Sequence, residues 1–154
     1  MWVPPAGKIR GRILSVINLQ QNFTVSDADY LYAGNVNPVK TFPGEGTFLM
    51  GNKTSYSSTS GLGYINIVAM IAYLKKQLLI IANSLLFEAN TVELRQQFLS
   101  RATPILESIK SGNGISAYTI VSDASNNTPT TMAANKLIVD ITIKPTSSVQ
   151  TISI

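Results

Sequence analysis

Apolar residues at Ile67, Val68, Ile71, Leu74, Leu78 and Leu79 recur at three-and-four spacing, which predicts a helix from Tyr64 to about Asn83. That helix is apolar on nearly every face except at Lys75, Lys76 and Gln77. So dry an element needs cover on more than one side, from a sheet and another layer or from neighbouring subunits. A second helix is expected from a cap at Asn90-Thr91 to Gly112, carrying Leu94, Phe98, Ile105, Leu106 and Ile109, with Pro104 as a predicted kink or break. The clearest strands are Ala117 to Asp123 and Lys136 to Lys144. The second alternates Leu137, Val139, Ile141 and Ile143 against Lys136, Ile138, Asp140 and Thr142, so one face is drier than the other.

The remaining chain reads as shorter pieces. Two prolines and two glycines in residues 1–12 predict an extended basic lead-in. Ile13 to Leu19 suits a strand or a packed loop, and Ser26 to Gly34 a short helix capped by Ser26. Gly46 to Gly51 is a strand candidate, Asn52 to Gly63 a polar loop, and Leu85 to Glu88 a short apolar run read as a strand. One helical turn is expected after Pro129. This order predicts an α+β fold in which a mixed sheet is packed by two long helices, with extended arms at both ends. The expected division is an arm over 1–24, a core over 25–145 and a C-terminal β-arm over 146–154. In the tail Val149 and Ile152 alternate with polar residues, so Val149, Thr151, Ile152 and Ile154 are the expected strand-donating residues. A free β-prone tail of this kind should pair with something.

Composition narrows the function. At 154 residues the chain fits one domain, and 45% hydrophobic against 13% charged residues leaves a surface weakly solvated by charge, which invites partners. With no cysteine and no histidine, thiolate metal sites, the commonest metal ligand and the commonest general base are all missing. Carboxylates Glu88, Glu93, Glu107, Asp123 and Asp140 are dispersed over different elements and read as caps, solvated faces and, at Asp123, an Asx-type turn. Gly46 to Gly51 has the glycine spacing of a phosphate loop, but Asn52 stands where its lysine belongs, and the glycines bracket an apolar strand. The segment is expected to be a glycine-punctuated entry into a sheet, with Phe48 and Met50, or Leu49 on the other side, in the core. No catalytic residue, cofactor or metal is expected.

The net charge of +4 is diffuse, with one local cluster at Lys8, Arg10 and Arg12 that lacks interleaved aromatics, so nucleic acid is not an expected partner. Tyr64 to Phe87 approaches membrane-spanning length, but adjacent Lys75 and Lys76 in its middle would cost about 5 kcal/mol at mid-bilayer. Membrane insertion is therefore not expected.

Several segments in order resemble the conserved C-terminal region of tail sheath proteins from contractile-tailed bacteriophages and related injection machines. They are Trp2-Val-Pro-Pro-Ala-Gly-Lys-Ile-Arg-Gly11, Asn35-Val-Asn-Pro38, Phe42-Pro-Gly-Glu-Gly46 with Met50-Gly-Asn-Lys-Thr54, Tyr64-Ile-Asn-Ile67, Leu86-Phe-Glu88 with Asn90-Thr91, and Val121-Ser-Asp123 with Asn126-Asn-Thr-Pro129. The chain departs from the family where Lys53 and Val68-Ala69 replace arginines. The resemblance implies a structural, non-enzymatic virion subunit, assembled in the host cytoplasm, that polymerises as stacked hexameric rings around a tail tube and contracts to drive it through the host envelope. Baseplate and tail terminator proteins are further implied partners, and another virion part, a tube or baseplate protein, or a small non-catalytic binding module is the alternative. Terminal arms would add strands to neighbouring subunits. Lys75, Lys76, Arg95, Arg101 and Lys110, the cations of the two long helices, are the candidate contacts to the tube or to other subunits.

Overall fold

The computed structural model describes residues 2–17, 19–57 and 60–148. It divides the chain into two compact units, Met1–Ala69 and Met70–Ile154. Val149, Thr151, Ile152 and Ile154 lie outside the described residues.

In the first unit the lead-in is not wholly extended. It closes one helical turn, α1 (Gly7–Arg10), and a two-residue strand, β1 (Arg12–Ile13). Helix α2 (Val25–Ala33) is capped by Thr24, two residues earlier than the expected Ser26, because Thr24 and Asp27 form a reciprocal capping box. Strands β2 (Val39–Phe42) and β3 (Gly46–Leu49) form a hairpin whose turn uses Gly44 at φ +78°. The antiparallel sheet runs β1-β3-β2. Phe48 is buried as expected and meets Phe42 edge-on at 5.9 Å, but Met50 is 38% exposed because β3 ends at Leu49. The glycine-rich stretch is thus a hairpin.

Four of the six segments that carry the family resemblance lie in this unit. Lys53 donates its backbone N–H to Asn37 Oδ1 at 2.8 Å, and Asn37 Nδ2 returns a bond to Lys53 O at 2.7 Å. Gly51 lies so close to Asn37 that any side chain there would collide with the carboxamide. Lys53 Nζ reaches Tyr32 O at 2.7 Å and sits 4.2 Å from the Tyr32 ring centre, tying α2 to the loop after β3. Asn52 Nδ2 donates to Asn66 Oδ1 at 2.7 Å, and Asn66 Nδ2 donates to Trp2 O at 3.1 Å. The carboxamides of these motifs are spent on backbone groups and on one another.

The second unit is built on α3 (Ile65–Ser84), whose residues from Met70 onward lie in it, and α4 (Val92–Ser111). Thr91 caps α4 by accepting the Leu94 N–H, and the helix runs unbroken through Pro104. Proline removes one N–H from the ladder, but Ala102, Leu106 and Ile109 are fully buried around it, and that packing outweighs one lost bond. Ile81, Leu85, Leu94, Phe98 and Ala102 form one cluster, with Ile120 and Val139 against it. Leu85 to Glu88 is a turn and not a strand: Leu85 N–H bonds to Ala82 O, and Phe87 sits in the left-handed region at φ +69°.

Strands β4 (Ile115–Val121) and β5 (Asp140–Pro145) pair antiparallel, with Ile120 opposite Ile141 and a bulge between Ile115 and Ala117. Between them is the expected helical turn, α5 (Pro129–Ala133), capped by Thr128. The fold is α+β, with its strands in two antiparallel sheets, one in each unit, in place of a single mixed sheet. Leu137 to Val139 continue the alternation of β5 but leave its ladder, because Asn127 takes the backbone of Ile138. Its Oδ1 accepts Ile138 N–H at 2.8 Å and its Nδ2 donates to Ile138 O at 2.8 Å.

Candidate inter-subunit interface

The two-stranded sheet of the second unit leaves one flank of β5 without a strand among the described residues. Beside it lies a groove of about 1160 Å³. Its floor is the α3 stripe Ile71, Leu74 and Leu78, one wall is Leu137, Val139, Ile141 and Ile143, and one end is the α3–α4 connection at Leu86, Phe87 and Asn90. The dry face read from the alternation of residues 136–144 therefore looks into this groove. No β4 residue lines it, so the open side is that of β5. On the same helix Leu79 and Ile80 are each 57% exposed. Helix α3 is long and apolar enough to cross a membrane by length and composition alone; part of that apolar surface, Ile71, Leu74 and Leu78, is the floor of this groove.

Asn90 closes the groove end by donating from Nδ2 to Lys136 O at 2.9 Å, which fixes where the β5 wall begins. Beyond it Asn127, 1% exposed, pins the wall through four bonds, those to Ile138 and Nδ2 donations to Asp123 O and Asn126 Oδ1. Asp123 forms the expected Asx turn: its Oδ1 accepts the Ser125 N–H at 2.8 Å and the Ser125 hydroxyl. The Ser125 hydroxyl, and then its N–H, lower the Asp123 pKa from the ordinary 3.8. A depressed carboxylate adds stability that is complete above the unfolded value and is lost as pH falls through the folded one. Asp123→Ala should therefore be less stable than the protein by a steady margin above about pH 3.8, and the unfolding midpoints should draw together as pH falls from there through the lower folded value.

The candidate cations divide. Lys75 and Lys76 are exposed, and Lys75 stands at the groove. Arg101 is exposed and donates to Ser84 Oγ at 2.9 Å, and Lys110 lies 5.7 Å from the Tyr118 ring centre. Arg95 is only 8% exposed. It spends its guanidinium on Thr91 O at 3.3 Å and faces the Met132 sulfur at 3.9 Å, so it presents no outward charge. Helical spacing placed it on α4 but could not tell that α5 would fold over it. The basic cluster near the N-terminus is also engaged locally: Lys8 pairs with Glu45 at 2.6 Å, and Arg10 Nε donates to Pro4 O.

The family model of the phage tail sheath C-terminal domain matches residues 57–154, well over half of the chain. The chain belongs to this family. Across 99% of its length the sheath domain is 33% identical to the tail sheath protein of Enterobacteria phage T4 and 32% identical to that of Vibrio phage KVP40, and it spans 23% of each relative. Its fold superposes with TM-score 0.90 on a chain of the contracted sheath complex of an extracellular contractile injection system, and with 0.89 on a chain of the anti-feeding prophage baseplate. Identities are 16% and 15%, with 99% of this chain and 44% of each of those covered. The tail residues expected to donate a strand lie outside the described residues. The groove was not legible in the sequence, because its floor and wall come from α3 and β5, about 60 residues apart in the chain.

Proposed function

We propose that this chain is the C-terminal portion of a contractile tail sheath subunit, assembling with copies of itself into stacked hexameric rings around a tail tube. The observation that carries the reading is the apolar groove beside the flank of β5 that no described residue pairs, because an isolated subunit would have no reason to leave it open. Its occupant is the tail of a second copy. The wall from Leu137 to Ile143 extends about 20 Å, and the six residues 149–154 laid out as a strand cover about the same length. Backbone bonds to β5 would supply affinity, and alternate side chains, Val149 and Thr151 on one face, Ile152 and Ile154 on the other, would set register.

Strand exchange keeps a lattice linked while rings move against one another. The energy for contraction is then stored in the extended assembly, held by contacts to the tube, and released as subunits gain contacts in the contracted one. A few kcal/mol per subunit, summed over many subunits, supplies large work. Exposed Lys75, Lys76, Arg101 and Lys110 are suited to tube or subunit contacts that must form and break, since charged pairs are exchangeable with water. Arg95 is the weakest of the candidates, because its guanidinium is already engaged. The virion tail is the place of such a subunit, with baseplate and terminator proteins at the ends of the polymer. Electron microscopy of the purified chain tests the reading: wide hollow tubes or rings are expected, narrow tubes would make it a tube protein, and dispersed monomers at all concentrations would refute it.

A further inference from the structure

We propose that Phe87 is a clamp that closes over the donated strand of a second copy at the α3–α4 end of the groove, an inference that rests on the strand-donation reading. Phe87 has φ +69°, a region in which a bulky L-residue is disfavoured roughly tenfold or more. Of the other four non-glycine residues with positive φ among those described, three are asparagines, which accept this conformation far more readily, and one is a serine. The phenylalanine is also fully exposed, at 104%, next to Leu86 at 59%, while Leu85 before them is buried. Strain and solvation thus both work against the side chain where it stands. Among the described residues nothing covers the ring, so none of them offsets either.

The groove supplies what would. Phe87 and Leu86 line its end, opposite the β5 wall and beyond the α3 floor at Leu78. A left-handed residue there turns the chain so that the ring projects at the rim and leaves the helix end. A strand lying along β5 would run beneath that rim, and the ring would cover one of its apolar side chains. The occupant is the tail of a second copy, because the length of the wall matches those six residues and the exposed ring continues the same apolar surface. A large aromatic at the end of a dry groove is the residue type that carries interface affinity.

The test uses the full chain. Phe87→Gly removes the ring and accepts positive φ without strain, so the variant monomer should unfold at the same or a higher temperature while its self-association weakens by roughly tenfold or more. Phe87→Leu, which keeps apolar bulk, should recover part of the association. With p-benzoylphenylalanine at position 87 and a mixture of light and heavy isotope-labelled chains, photo-crosslinks should join position 87 of one copy to residues 149–154 of another. Unchanged association of Phe87→Gly, or crosslinks only to other segments, would overturn the clamp and leave strand donation standing, whereas crosslinks to residues 149–154 confined to one copy would overturn both. A wild-type chain that stays monomeric at every concentration would instead sink the strand-donation reading, and the clamp with it.

Discussion

A chain ending at Ser148 should remain folded and form no polymers. The cut removes only residues 149–154 and spares Thr146, whose N–H donates to Gly114 O at 3.2 Å and closes the last rung beside β4. The second unit's cluster of Ile81, Leu85, Leu94, Phe98 and Ala102 lies far upstream of the cut, so the unfolding temperature should move by no more than a few degrees. What is lost is the donor: its ladder bonds and the burial of Val149, Ile152 and Ile154, each worth about 1.5–3 kcal/mol when fully covered. Even after the cost of ordering six residues, self-association should weaken by roughly 100-fold or more, as read by sedimentation and by electron microscopy. Polymers of normal length from the shortened chain would refute the donor role, and a chain that unfolds outright would place the tail in its own unit.

Replacing Asn127 by alanine should be the most damaging single polar change in the second unit. Its carboxamide is 1% exposed and satisfies Ile138 N–H, Ile138 O and Asp123 O in one place. A partner removed from a buried site leaves those groups unsatisfied, at about 1–3 kcal/mol apiece. Ser122 Oγ, at 3.3 Å from Ile138 O, and the Asn127 backbone N–H, at 2.9 Å from Asp123 O, keep those two carbonyls occupied, so Ile138 N–H is the group left unsatisfied and the expected loss is about 2 kcal/mol in chemical denaturation. Association should fall as well, because the pinned segment is the start of the groove wall. Asn127→Asp keeps an acceptor for Ile138 N–H but sets a charge against Ile138 O, and it should cost nearly as much. A loss under about 0.5 kcal/mol for alanine would mean that the bonds to Ile138 are replaced by solvent and do not fix the wall.

Much of the local structure was legible in the chain. The 3.6-residue period of α3 and α4, the threonine cap at Thr91, the Asx turn at Asp123 and the alternation of β5 are short-range consequences of residue type and spacing. Where reading failed, a local preference met a tertiary one. Pro104 did not break α4, because buried neighbours on both sides hold the helix. Leu85 to Glu88 looked like a strand, yet its residues end a helix and turn. Arg95 looked like any surface cation until α5 came down beside it.

The sequence by itself determined that this protein is an α+β molecule without histidine or cysteine chemistry, with two long helices and a β-prone tail, since these follow from composition and from periods no longer than one helical turn. Only the tertiary structure decided that the strands fall into two separate sheets and that asparagines tie the motifs together. It also decided that the dry faces of α3 and β5 meet beside an open flank. Those outcomes depend on which distant side chains share a volume, and packing of that kind leaves no period in a single chain.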